Sequence, residues 1–339
     1  MHQMFQYMTF LPRLSLKKIW NFILIEISFI VSGIVKKPVV WGVPYTITIE
    51  PTILCDLKCP QCHTGAGMII RQNKSIDYEH YRSIINEMKL TTICLILYFQ
   101  GEPFLHEKIF DMIRFAATSN IFTVTSTNGQ HLIGRNPEMI IQSGLDRLII
   151  SIDGADQSTY EKYRRGGTLK KLLDGARQLS DLKKKSSSVK PEIIFQFLIF
   201  RYNEKQVKDI KRLGKINGTD KIWIKTAQII TPDDGVDLIP QNPGYSRYEI
   251  DGRSSLRLKG KLKNRCHRLW RTMVITTDGF VVPCCFDKNA NYKLGNLKEQ
   301  SVLEIWKNQE YMNFRKKILK NRQEINICNN CTEGVKVYI

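Results

Sequence analysis

Acidic residues are scarce in this sequence: 32 Asp and Glu stand against 51 Lys and Arg, a formal charge of +19 over 339 residues. Such an excess favours an acidic partner, whether nucleic acid, phosphorylated metabolite, acidic peptide or anionic membrane, and does not choose among them. No repeat period is visible, which argues against a solenoid or array. An uninterrupted apolar run of the roughly 20 residues that a bilayer crossing needs is also missing. The nearest stretch, Trp20 to Val35, carries Asn21, Glu26 and two serines and is flanked by Lys17, Lys18, Lys36 and Lys37. No small-residue cleavage site follows it, which disfavours a signal peptide. A helix packed on the body of the protein is expected there, with contact to a membrane surface as the alternative. The nine cysteines lack the even, dispersed pattern of a disulfide framework, since most sit in close-set groups. Metal or redox chemistry in a reducing cytoplasm fits them better.

What is present is ordinary globular material, 42% hydrophobic and 24% charged, enough for one large domain with a smaller companion. Tyr45 to Glu50 is dominated by β-branched residues as a strand is, and Asp77 caps a helical stretch through Met88. Ile93 to Phe99 is a nearly continuous apolar run, as in a strand buried on both faces. Phe122 to Ser126, Arg147 to Ile152, Ile193 to Phe200 and Lys221 to Ile229 are further strands, separated by segments of helical character. Six strands alternating with helices imply a parallel α/β sheet that curves into an open or partial barrel. In such barrels chemistry gathers at the carboxyl ends of the strands. Gln100 and Glu102, Thr127 and Asn128, and Ser151 and Asp153 fall there. A breaker-rich stretch from Thr231 through Gly252 marks a boundary. The expected division is an N-terminal basic and apolar helical segment (1–42), a core domain (43–252) and a small C-terminal α+β domain (253–339).

Cys55, Cys59 and Cys62 follow the first strand with three and two residues between them. Three thiolates on a four-iron cluster leave one iron open to bind something else, whereas a structural zinc site wants four ligands. His63 could be a fourth zinc ligand, but it would have to bend back on its neighbour Cys62. Cys266, Cys284, Cys285, Cys328 and Cys331 form a second group, for which a zinc-ribbon staple is the alternative to a cluster. Asp278-Gly279 reads as a hairpin turn that brings Cys266 and Cys284 together. Strand arithmetic leaves Cys284 and Cys285 undecided as ligands. Cys94, alone in an apolar strand, is expected to be core filler.

The three-cysteine loop after strand one, Gly101-Glu102-Pro103 after strand two and Ser151-Ile-Asp-Gly-Ala155 after strand four together resemble the radical S-adenosylmethionine superfamily. The resemblance implies a partial (β/α)6 barrel. It implies a 4Fe-4S cluster on Cys55, Cys59 and Cys62 that binds S-adenosylmethionine. The Glu102 position would receive the methionine amino group, with Gln100 standing where the family has glycine. Gln100, Gly101, Asn128 and Ser151 are assigned to the same cofactor, and Arg164 or Arg165 to its carboxylate or ribose. Gln61 replaces the usual aromatic residue near the adenine. The second group resembles the SPASM or Twitch extension, which implies an auxiliary 4Fe-4S cluster on Cys266, Cys284, Cys328 and Cys331, the family spacing favouring Cys284. An electron donor such as flavodoxin or ferredoxin is implied.

Four occupied ligand positions suit electron transfer, so oxidation or rearrangement of a small polar metabolite, such as a sugar or aminocyclitol, is the expected activity. A peptide or protein substrate is the alternative. The 42 residues before Val43 are few for an added peptide-binding domain. Arg257 to Arg271 holds seven Lys or Arg and no acid, yet no aromatic-rich basic recognition motif accompanies it, which disfavours a zinc-stapled nucleic-acid-binding protein. A cytoplasmic location is expected, with membrane association through the N-terminal helix as an addition.

Overall fold

The six expected strands pair as one parallel array in the computed structural model, which describes residues 10–230, 235–252 and 255–335. Thr231 to Asp234, the start of the breaker-rich stretch, lie outside the described residues. The strands are β1 (Thr46–Ile49), β2 (Cys94–Ile96), β3 (Phe122–Thr127), β4 (Arg147–Ser151), β5 (Glu192–Ile199) and β6 (Lys221–Thr226), paired in chain order and all parallel. Helices cross between them. One of these, Tyr78–Met88, starts where Asp77 accepts a hydrogen bond from the His80 N–H at 2.8 Å.

Alternation along the strands sorts side chains into two layers. Leu95, Leu97, Leu148, Ile150, Phe195 and Phe197 belong to the core shared with Ile84, Ile85, Met112, Ile113, Leu172 and Leu179 of the covering helices. Cys94, Phe122, Val124 and Ile149 point the other way and cluster inside the curved sheet with Ile96, Tyr98 and Trp223. Cys94 is therefore core material, as expected of a lone cysteine in an apolar strand. Ser151 and Lys225, two residues beyond Ile149 and Trp223, share that inner face by the same alternation.

The C-terminal unit does not stand apart from this sheet. Its strand β9 (Thr272–Ile275) pairs in parallel with β1, Thr46 opposite Thr272 and Ile49 opposite Ile275. Its hairpin partner β10 (Phe280–Val282) and the short β11 (Gly295–Asn296) complete one sheet of nine strands among the described residues. The hairpin turn expected at Asp278-Gly279 is present. A separate two-stranded hairpin, β7 (Tyr248–Asp251) with β8 (Ser255–Leu258), straddles the boundary expected at 252 and 253.

The N-terminal helix α1 (Leu16–Val35) begins earlier than the apolar run read from the sequence. Its 20 residues, with a mean hydropathy of 1.7, are long and apolar enough to cross a membrane, correcting the expectation that the stretch falls short of a span. In the structure α1 packs on the protein. Trp270 and Trp306 of the C-terminal unit donate their indole N–H groups to the Val39 and Gly42 carbonyls at 3.1 and 3.0 Å, clamping the segment that joins α1 to β1.

Candidate functional site

The loop after β1 is tight for a stated reason. The Cys62 N–H bonds the Cys59 carbonyl and the Ala66 N–H bonds the Cys62 carbonyl. A Cβ on Gly65 would stand 2.4 Å from the Cys59 nitrogen, so only glycine lets the loop close. Gly101, at φ +70°, would place a Cβ 2.3 Å from the Thr52 carbonyl oxygen, and the Glu102 N–H donates to the Leu54 carbonyl at 2.7 Å. The segment after β2 is thereby laid against the residues that lead into Cys55.

Cys55, Cys59 and Cys62 line one cavity of about 110 Å³ together with Gly101, Glu102, Asn128, Ser151 and Arg164. Buried Glu102 accepts from the Asn128 N–H at 2.7 Å and from the Phe104 N–H at 3.2 Å. Burial pushes its carboxyl up to about 7, so a cation beside it would be needed to return it to the ordinary carboxylate range. The Asn128 amide donates to Asp56 at 2.7 Å and stands 3.9 Å from the Cys55 sulfur. Arg164 donates to Asp153 at 2.6 Å and reaches to 3.9 Å from the Cys59 sulfur. Burial opposes the charge on Arg164, but Asp153 and Cys59 outweigh it and hold the guanidinium protonated.

Arg165 is exposed, so Arg164 is the arginine that faces the cysteines. Gln100 does not share the cavity. Its side chain turns to the cysteine loop, accepting from the Thr64 hydroxyl at 3.2 Å. Gln61 accepts from the Ile230 N–H at 2.7 Å, tying the same loop to the segment after β6. Asp153, which the sequence placed only at a strand end, is fully buried and fixed by the Leu198 N–H at 2.8 Å. Gly154 beside it is needed because a Cβ would meet the Tyr160 nitrogen at 2.2 Å.

Cys266, Cys284, Cys328 and Cys331 line a second cavity with Arg322. Cys285 does not. It packs with Phe99, Val274, Val282 and Ala290, its sulfur 3.9 Å from the Arg268 guanidinium. Of the two adjacent cysteines it is Cys284 whose side chain shares the cavity with the other three. Arg322 is 1% exposed and donates to the Cys331 sulfur at 3.3 Å, while its buried Nε has no hydrogen-bond partner in the structure.

Both cysteine sets fit iron–sulfur clusters by donor chemistry. Burial pushes the Cys55 and Cys266 thiols up to about 12, so bound metal is what would make them thiolates. In each set a sulfur accepts from the N–H two residues on: Leu57 to Cys55 at 3.5 Å, Phe286 to Cys284 at 3.5 Å and Glu333 to Cys331 at 3.4 Å. Such bonds tune cluster potential. The orphaned Arg322 Nε is a donor left for a sulfide or thiolate. Among the described residues no three His, Cys, Asp or Glu side chains converge as ligands of a single ion would. The thiols ring cavities instead.

Comparison with known proteins agrees with this geometry. The radical SAM superfamily model matches residues 49–214, and the iron-sulfur cluster-binding SPASM domain matches residues 266–332. The chain is 23% identical over 297 residues to the tungsten-containing aldehyde ferredoxin oxidoreductase cofactor-modifying protein of Pyrococcus furiosus, covering 79% of this chain and 82% of the relative. It is 23% identical over 323 residues to the AdoMet-dependent heme synthase of Methanosarcina barkeri, covering 83% and 86%. The fold is similar to that of Streptococcus suis SuiB bound to S-adenosylmethionine, with a TM-score of 0.61 at 15% identity over 81% of this chain and 68% of that one. It is also similar to BtrN in complex with AdoMet and 2-DOIA, with a TM-score of 0.55 at 18% identity over 88% and 96%. The chain belongs to the radical S-adenosylmethionine superfamily and carries a C-terminal SPASM domain, with S-adenosylmethionine and iron–sulfur clusters as its cofactors.

Proposed function

We propose that this enzyme dehydrogenates or rearranges a small polar metabolite, with Cys55, Cys59 and Cys62 holding the cluster that binds S-adenosylmethionine and Cys266, Cys284, Cys328 and Cys331 holding an auxiliary one. The observation that carries this reading is the convergence of three thiols, Glu102, Ser151 and Arg164 on one cavity at the carboxyl ends of parallel strands. Held by these residues, the cluster and S-adenosylmethionine would supply hydrogen-atom abstraction from substrate, one electron from a flavodoxin- or ferredoxin-type donor entering the sulfonium to break its bond to the 5' carbon and release methionine.

The chain's own residues bind, orient and exclude water. Glu102 offers the cofactor's ammonium a carboxylate already held by the Asn128 and Phe104 N–H groups and the Thr127 hydroxyl, so it is oriented before the cation arrives. Asp153 keeps Arg164 extended toward the cysteine loop for the cofactor's carboxylate or ribose. Phe122, Val124 and Ile149 keep the inner face dry below the site, while Tyr98 and Lys225 offer polar groups to substrate. The four-thiol set is closed to substrate and suits acceptance of the second electron of a dehydrogenation.

A peptide substrate is the second reading. It is favoured by the likeness of fold to SuiB bound to the precursor peptide SuiA, with a TM-score of 0.60 at 15% identity, and by the basic stretch Arg257 to Arg271.

The test is anoxic reconstitution followed by incubation with reductant, S-adenosylmethionine and deuterium-labelled candidates, either polyols and amino sugars or peptides. Deuterium in 5'-deoxyadenosine together with an oxidised or isomerised polyol supports the first reading. Deuterium transfer from peptides alone selects the second. A colourless protein that contains zinc and no iron overturns both.

A further inference from the structure

Helix α1 turns polar as well as apolar side chains inward. Beside Ile25 and Phe29, which join the core, Asn21 exchanges two hydrogen bonds with the Val43 backbone, both at 2.9 Å, and the Ser28 and Ser32 hydroxyls accept from the Trp41 and Val39 N–H groups at 2.9 and 2.8 Å. Its one acid, Glu26, is taken up by the Tyr45 hydroxyl and by Arg271. The outward face is apolar. Leu16, Trp20, Ile23, Ile27, Ile30 and Ile34 recur every three or four residues, between 38% and 86% exposed, as one stripe about 27 Å long. An apolar stripe of that length on a helix whose polar side chains are already spent inside is the pattern of an interaction surface.

Three observations select the occupant. The rim is cationic: Lys17, Lys36 and Lys37 are exposed at the helix ends. Flanking positions extend the patch rather than fence it, because Ile19, Val35 and Trp41 are exposed as well, whereas a helix-pairing seam is flanked by charges of both signs. The patch also continues inward. Phe10, Leu14, Ile19 and Phe22 are among the residues that line a cavity of about 770 Å³ reaching Cys94 and Ile96 on β2, whose wall also holds His267, Arg268, Arg271 and Glu333.

We infer that α1 seats the enzyme on the surface of an anionic bilayer, lying in the plane of the interface with its stripe among the acyl chains and the flanking lysines at the headgroups. Trp20 and Trp41 suit the boundary between the two. Spanning the bilayer would strip α1 of the hydrogen bonds that hold the Val39 to Val43 segment, at a cost that surface docking avoids.

The full chain is tested by flotation with vesicles of phosphatidylcholine alone and of equimolar phosphatidylcholine and phosphatidylglycerol. Binding is expected to the anionic vesicles, to weaken as salt is raised, and to be released by high salt. Ile23→Glu with Ile30→Glu, both solvent-facing, should lower vesicle affinity by about tenfold or more while leaving the unfolding temperature and the rate of S-adenosylmethionine cleavage unchanged. Lys36→Glu with Lys37→Glu should abolish the preference for anionic lipid. Equal binding by wild type and the Ile23/Ile30 variant overturns the inference. So does an absence of flotation with a dimer that this variant dissociates, which assigns the stripe to a second copy. Binding that resists both salt and alkaline extraction overturns it in favour of a spanning helix.

Discussion

Arg71 closes a two-pronged ion pair on Glu50 at 2.6 and 2.7 Å, with both side chains buried. The same carboxylate accepts from the Thr277 N–H at 3.1 Å, and Arg71 also donates to the Lys288 carbonyl at 2.9 Å. One ion pair thus joins the end of β1, the segment after the cysteine loop and the hairpin turn of the C-terminal unit. Removing Glu50 leaves the buried Arg71 with the more distant Asp278 carboxylate, 3.6 Å away, as counter-charge. Glu50→Gln should therefore cost about 3–5 kcal/mol in chemical denaturation, and Glu50→Gln combined with Arg71→Met should cost less than the sum of the single changes.

Asp153 acts on the site through Arg164. Asp153→Asn preserves size but removes the charge that holds the guanidinium toward Cys59. The rate of S-adenosylmethionine cleavage should fall about 10- to 100-fold with iron content unchanged. A loss of iron in parallel would instead place Asp153 in cluster retention.

The two cysteine sets should separate by variant. Cys59→Ala is expected to abolish 5'-deoxyadenosine formation while leaving the iron of the C-terminal set. Cys284→Ala and Cys328→Ala should each lower iron by about one cluster's worth. Cys285→Ala should leave iron unchanged, because its sulfur packs among apolar side chains outside the cavity. Iron analysis of the four variants, with a 5'-deoxyadenosine assay of Cys59→Ala, checks these outcomes.

Lys18 is 2% exposed and donates to the Asn120 carbonyl at 2.5 Å, and burial pushes its ammonium down to about 8 from an ordinary 10.5. Between those values the unfolded chain binds a proton that the folded chain has released. Stability should then rise with pH from about 8 to about 10.5 relative to Lys18→Met, which has no such group to titrate. Thermal unfolding of the two proteins across that window measures the difference. Parallel curves would mean that Lys18 keeps its proton in the folded state.

Six strands, the helix capped by Asp77, the cysteine loop and the Asp278-Gly279 turn were all legible in the sequence, because each depends on residues within a few positions of one another. Periodicity, β-branching, capping and turn chemistry act at that range. The parallel pairing of β9 with β1 joins Thr46 to Thr272, and no local pattern encodes a contact across that separation. Cys284 and Cys285 are adjacent and chemically identical, so their different fates follow from which way the chain after β10 faces. The role of Asp153 follows from Arg164 returning to it at the end of the helix Gln157–Tyr163. The outward apolar face of α1 became visible only when the strand-like segment after it took up Asn21, Ser28 and Ser32. Local chemistry determined which elements form and which residues carry sulfur; long-range packing decided which sulfurs share a cavity and which face of α1 is left to the outside.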